Sequence, residues 1–253
     1  IMIKRVILLV LSAAVVFSGI VASYSKDKAA LKKIVIATDA TWAPMEFVNE
    51  KKEIVGFDID LLTAAAKEGN FEVEFVNTAW DGIFAGLAAG KYDAVCSSVT
   101  ITDERKKAMD FSIPYVNAGQ VLVVQKSLKG MDKLAQFTGK KVGAQIGTTG
   151  ALEISKTAGV IAKTYDEIGM AFEDLINGRI DAVVCDSPVA AQYALQNAKY
   201  KAKLKIVGVP FTKEEYGVAV KKGNKAVLDL INDGLKKVQK KGINKKIEKK
   251  WLR

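Results

Sequence analysis

The chain of 253 residues contains no histidine. That absence removes the commonest general base and the imidazole ligand of most metal sites. Cysteine occurs twice, at Cys96 and Cys185, too few for a thiolate cage and without the histidine a Cys/His nucleophile needs. Each ends a short apolar run, where a free thiol behaves as a small hydrophobe, and no disulfide between them is expected. No metal or cofactor is expected. With four prolines, 8% aromatic residues and 26% charged residues, the composition also excludes disordered, collagen-like and disulfide-stapled classes. What remains is a folded chain long enough for one large core or two smaller ones, and two lobes are the better expectation.

The first residues have their own pattern. Lys4 and Arg5 precede an apolar run from Val6 to Val16, and small residues follow at Gly19, Ala22 and Ser23. This is the three-part order of an export signal, expected over residues 1–25, so the rest of the protein is expected in the periplasm or outside the cell. The apolar stretch continues through Ala22 and approaches a short membrane span, so an uncleaved anchor is the alternative. The formal net charge is +10, and much of the excess lies in the last thirty residues. There Val227, Ile231, Leu235 and Val238, then Ile243, Ile247 and Trp251 after Gly242, form an apolar stripe at helical spacing. The interleaved lysines read as a solvated face, with a membrane surface as the alternative, and no nucleic-acid partner is expected.

From residue 32 short strand-like runs alternate with helical ones, the signature of α/β architecture with largely parallel sheets. Strands are expected over 33–38, 71–77, 92–96, 141–145 and 181–185. Helices are expected over 57–67, 81–89, 150–157, 166–177 and 187–197, with a further one capped by Thr102 and acidic in its first turn at Asp103 and Glu104. One internal echo stands out. Ala89-Gly90-Lys91-Tyr92-Asp93-Ala94-Val95 and Asn177-Gly178-Arg179-Ile180-Asp181-Ala182-Val183 share the order small or polar, Gly, basic, x, Asp, Ala, Val. In each a helix ends at glycine and a core strand begins. Polar residues follow at each strand's carboxyl end, Ser97, Ser98 and Thr100 in one case and Asp186 and Ser187 in the other, the edge where open α/β sheets bind ligands. Two similar lobes facing each other across a cleft are expected.

The run Asp39-Ala40-Thr41-Trp42-Ala43-Pro44-Met45-Glu46-Phe47, with Val55-Gly56-Phe57-Asp58-Ile59-Asp60-Leu61 after it, resembles the opening of periplasmic polar amino-acid-binding proteins of ABC importers. Thr100-Ile101-Thr102-Asp103-Glu104-Arg105 and Asp110-Phe111-Ser112-Ile113-Pro114-Tyr115 are similar to that family's central signature. The resemblance covers about residues 32–253. It implies a two-lobe periplasmic-binding-protein type II fold, with lobe one at 30–117 plus 214–253, lobe two at 121–209 and a two-segment hinge near 117–121 and 210–215. It also implies a monomer that binds a free L-amino acid and delivers it to an ABC permease, and not an enzyme.

The chemistry of such a site has its own logic. A free amino acid carries a carboxylate and an ammonium group at fixed separation, so the pocket needs a cationic fork beside an anionic acceptor. Arg105 is the candidate for the carboxylate, helped by Thr100 and by backbone donors near Ser98 and Thr149; locally it could instead pair with Asp103 or Glu104. Asp186 is the candidate for the ammonium group, and also a natural cap for the helix opened by Ser187 and Pro188. Gly147-Thr148-Thr149-Gly150 precedes a helix and offers N–H groups to an anion, or is an ordinary turn. Ser97 lies at the same strand end. Trp42 and Phe57 are the candidate walls of a side-chain slot, with Asp39 deeper in it. Gln145 stands where glutamine-selective members of the family resembled carry lysine. An uncompensated Asp39 then favours arginine or lysine, with glutamine as the alternative. A cyclohexadienyl-dehydratase-like enzyme on the same fold is the rival from another class; without histidine it would need Asp39 or Glu46 as its acid or base.

Overall fold

The structure, a computed structural model, describes residues 31–252; the export segment expected at 1–25 lies outside the described residues. Two five-stranded sheets organise the chain. In the first, strand Lys33–Thr38 lies between two parallel neighbours, Glu72–Asn77 and Ala94–Val95. Strands Ala219–Lys221 and Met109–Phe111 complete it antiparallel. The second sheet repeats that plan with Lys141–Gln145 between Ile161–Tyr165 and Ala182–Asp186, then Gln120–Gln125 and Leu204–Val207 antiparallel. The protein is thus an α/β chain of two lobes with one topology used twice.

The sequence echo has a physical basis in this repeat. Gly90 and Gly178 both take left-handed backbone, with φ of 74° and 71°, a conformation that costs glycine little. The two aspartates that follow do the same work in each lobe. Asp93 accepts the Val35 N–H at 2.9 Å and returns its own N–H to the Val35 carbonyl. Asp181 accepts the Lys141 N–H at 2.8 Å and returns its N–H to the Lys141 carbonyl. Each motif therefore locks the strand it opens to its parallel neighbour, Lys33–Thr38 in one sheet and Lys141–Gln145 in the other.

Helix Phe57–Gly69 covers the first sheet and packs on helix Lys225–Lys240, whose Val227, Ile231, Leu235 and Val238 are all buried. Burying such side chains contributes roughly 1.5–3 kcal/mol each. The crossing requires glycine, because a Cβ at Gly234 would lie 2.3 Å from the Ala65 carbonyl oxygen. The expected lysine face is solvated: Lys236, Lys240, Lys245, Lys246 and Lys249 are exposed, while Lys250 and the Trp251 indole both bond Asp60 at 2.7 Å. Among the described residues no helix is long and apolar enough to cross a membrane. Both cysteines are buried and free.

Two segments pass between the sheets, Val116–Ala118 and Glu214–Tyr216, and they pair antiparallel with each other. Several expected helices are shorter than their patterns suggested. The one opening at Ser187 closes at Ala191 and continues as a wider turn over Gln192–Gln196.

Candidate functional site

Parallel strands end on the same edge of a sheet, so the residues just past Thr38, Val95, Gln145 and Asp186 converge. They line a narrow cleft between the carboxyl edges of the two sheets. The first lobe contributes Asp39, Trp42, Ser97, Ser98, Thr100 and Arg105; the second contributes Gln145, Thr148, Thr149 and Asp186.

Arg105 lies in the first turn of helix Asp103–Ala108, whose cap Thr102 accepts the Arg105 N–H at 3.1 Å. The acids beside it are taken by others: Asp103 pairs with Lys106 and Glu104 with Lys107. The guanidinium turns inward instead, 5.5 Å from the Trp80 ring centre and 5.2 Å from that of Phe84. It donates to the Thr100 carbonyl at 2.9 Å and across the cleft to the Gly147 carbonyl at 3.4 Å. Burial pulls its pKa down, and the charges of Asp186 and Glu214 oppose that pull. Its planar fork, lying over these two rings, which contact each other edge to face at 5.0 Å, is held ready for a carboxylate.

Asp186 ends strand Ala182–Asp186 and is buried. The Tyr216 hydroxyl donates to one of its oxygens at 2.5 Å, and the Gln120 amide donates to the other. No side-chain cap bond links it to the helix it precedes. Burial first, then the nearby Glu214 charge, push its pKa up to about 7.

Glu214, absent from the sequence expectations, sits behind this end of the cleft. It accepts the Thr100 hydroxyl at 2.6 Å and the Thr149 hydroxyl at 2.9 Å through one oxygen, and the Thr212 hydroxyl at 3.0 Å through the other. A threonine hydroxyl has one proton to donate. Thr100 and Thr149 therefore present lone pairs, not protons, to the cleft, and suit an ammonium group better than the carboxylate expected for Thr100. Ser98 also differs from expectation: its backbone N–H is held by Asp58 Oδ2 at 2.8 Å, which leaves the first turn of helix Thr149–Lys156, capped by Thr148, as the candidate backbone site for an anion.

At the other end Asp39 accepts Thr41 Oγ1 and, from the opposite lobe, Gln145 Nε2, both at 2.8 Å. Gln145 also donates to the Asp166 carbonyl at 2.8 Å. Burial pushes the Asp39 carboxyl above the usual aspartate range. Trp42 lines the cleft. Phe57, the other expected wall, does not: it is wholly buried in the core, stacked on Tyr115 at 6.3 Å between ring centres. The helix it opens directs it away from the sheet edge. Trp80 lines the cleft in its place, delivered by the loop after strand Glu72–Asn77, whose end is in register with Thr38. Glu46 also lines the cleft and was assigned no binding role from the sequence; it accepts Ser97 Oγ at 3.0 Å and Ser98 Oγ at 3.2 Å. The lining thus holds three carboxyl groups, Asp39, Glu46 and Asp186, against one cation, Arg105. Among the described residues no group of His, Cys, Asp or Glu is arranged to hold a metal ion.

A two-lobed α/β fold with a cationic fork, a buried acid and an aromatic slot converging in one cleft defines a binding protein for amino-acid-like solutes. Residues 34–253 match the model of the bacterial extracellular solute-binding proteins, family 3, and the chain belongs to that family. It is 41% identical over 225 residues to a probable histidine-binding protein of Neisseria gonorrhoeae, covering 86% of this chain and 82% of that one. It is similar to an ancestral arginine-binding protein solved with arginine, at TM-score 0.83 and 44% identity, covering 87% of this chain and 98% of that one. An ancestral arginine-binding protein bound to glutamine matches at TM-score 0.82 and 45% identity, covering 87% and 97% of the two chains.

Proposed function

We propose that this protein captures a free L-amino acid with a cationic side chain, arginine or lysine, outside the cytoplasm and delivers it to the permease of an ABC importer. The observation that carries the choice of ligand is Asp39: a buried carboxylate in the side-chain end of the cleft whose partners, Thr41 and Gln145, are neutral. A guanidinium or ammonium tip between Trp42 and Trp80 would supply the missing countercharge. At the other end Arg105 takes the α-carboxylate, and Asp186 takes the α-ammonium together with the Thr100 and Thr149 hydroxyl oxygens.

The lobes are 30–117 with 214–253, and 121–209, hinged near 117–121 and 210–215. The antiparallel pair Val116–Ala118 and Glu214–Tyr216 supports that placing. Ligand bridging both lobes would shift the population towards the closed form. The chain acts as a binder and not as an enzyme, since its buried acids are engaged by hydroxyl and amide donors rather than left poised over a reacting atom. Glutamine is the second reading, favoured by the solved glutamine complex of a similar arginine-binding scaffold. The test is calorimetry on protein stripped of ligand by unfolding and refolding, titrated with arginine, lysine, histidine, glutamine and cystine. Arginine or lysine should bind tightest; a preference for a neutral amino acid would refute the choice of ligand while leaving the importer role standing.

A further inference from the structure

Beneath the slot lies a second acid that the binding scheme above does not use. Glu46 and Asp58 are both wholly buried and are brought together by Ser98, whose N–H bonds Asp58 Oδ2 at 2.8 Å and whose hydroxyl bonds Glu46 at 3.2 Å. Asp58 Oδ2 accepts the Ser98 N–H at 2.8 Å, the Tyr115 hydroxyl at 2.8 Å and the Cys96 thiol at 3.5 Å. Its other oxygen, Oδ1, is buried without a donor. Glu46 accepts one serine hydroxyl on each oxygen. The groups that face the pair from every side are acidic or neutral: Asp39 from the end of the first strand, Cys96 from the third, and Tyr115 from the segment entering the crossing strand. Among the described residues no lysine or arginine bonds either carboxyl. Two adjoining carboxyls in a water-excluded site, with no cation against them, do not both ionise, because like charges at contact in low dielectric repel strongly. One shared proton also supplies the donor that the pair otherwise lacks.

We propose that Glu46 and Asp58 share one proton in the unliganded cleft and that a cationic ligand tip expels it to solvent, making Glu46 a second specificity-determining residue beside Asp39. The step balances: one positive charge enters the slot and one proton leaves to the buffer. A neutral amide tip brings no charge to replace the proton, so the pair stays singly ionised and glutamine gains nothing from it. This rests on the reading of the ligand as a basic amino acid. Burial, chiefly, pushes both groups up, Asp58 to about 6 and Glu46 well above the usual glutamate range. The discrimination therefore grows with pH: affinity for arginine should rise about tenfold per pH unit below the titration of the pair and level off above it. Asp186, also raised, adds a proton release of its own, equally for every α-amino acid; Asp39, raised by burial too and facing the same tip, adds to the difference between ligands, so the pair's share is the part that Glu46→Gln removes.

Two measurements test this. Carboxyl carbon-13 NMR of the unliganded protein should show one of the two groups still protonated at pH 7, and the signal of the ionised form on saturation with arginine. Calorimetry near pH 6 in phosphate and in bis-Tris should show arginine releasing more protons than glutamine, by up to about one. That difference should shrink in Glu46→Gln, or in Asp58→Asn if the first variant fails to fold. Two ionised carboxyls at pH 7 without ligand, or a proton difference left unchanged by both substitutions, would overturn the proposal. Absence of arginine and lysine binding would refute the ligand reading and the expulsion step together. An NMR signal of a protonated pair would tell that failure apart from failure of the pair itself.

Discussion

Replacing Asp39 by asparagine separates a charge-reading role from a structural one, because the asparagine can keep the two side-chain hydrogen bonds the aspartate makes, with Thr41 and Gln145, beside the backbone bond from Trp80. Its carbonyl oxygen can face Gln145 Nε2, which donates at 2.8 Å in the wild type. Its NH₂ group can then donate to Thr41 Oγ1, reversing a bond that spans 2.8 Å. Fold, slot and inter-lobe contact are thus preserved while one negative charge is lost. For a cationic tip the change removes a hydrogen bond to a charged group, worth about 1.5–3 kcal/mol, or roughly 10-fold to 150-fold in affinity. A glutamine side chain should lose less than about threefold, since a neutral amide still bonds asparagine. The assay is calorimetric titration of both proteins with arginine, lysine and glutamine at two salt concentrations. Asp39 is 4% exposed, so the arginine loss should change little with salt. Equal losses for all three ligands would refute the argument and leave Asp39 as scaffolding.

Arg105→Ala should weaken every amino acid alike, by about thirty-fold to several thousand-fold for the loss of one side of a desolvated charge pair; near-native binding by a variant that melts normally would remove Arg105 from the site. Adding the true ligand to refolded, ligand-free protein should shrink the radius of gyration in small-angle scattering, and an unchanged profile at saturation would contradict closure. The pH dependence of stability has a defined sign. Asp186 and Asp58 have folded-state pKa values raised to about 7 and about 6, so the stability they contribute is present below the usual aspartate range and is lost as pH rises through those values. The melting temperature of unliganded protein should therefore fall between pH 5 and pH 8, less steeply in Asp186→Asn; equal slopes would show that Asp186 does not carry the effect.

The division between what the sequence disclosed and what it concealed follows the range of the contacts. The repeated Gly-basic-x-Asp-Ala-Val motif was legible because its function is local to one helix end and one strand start, and its aspartates need only reach the neighbouring strand. Gln145, Asp39 and Asp186 were legible because strand ends define positions along a sheet edge. Strands Gln120–Gln125 and Leu204–Val207 were not anticipated. They enter the second sheet antiparallel, from outside the alternating pattern. The edge strand Ile161–Tyr165 is almost wholly exposed and carries no apolar alternation.

The aromatic wall shows the same limit at the scale of one side chain. Phe57 and Trp80 both lie near the cleft in sequence terms, and periodicity cannot tell which faces it. The register of Thr38 opposite Asn77 decides, since it carries the following loop to the sheet edge, whereas a helix start turns Phe57 inward. Glu46 reads as an ordinary acid in a short hairpin. Only the packing of helix Phe57–Gly69 and of Ser97 and Ser98 around it makes it a buried group. The proton accounting at the α-amino end is the least local of all. Thr100 meets Glu214 across 114 residues of chain, and that one bond changes the threonine from donor to acceptor. In a two-lobed protein the hinge strands return late in the sequence, so the residues that set the polarity of the site are far from the motif that names it.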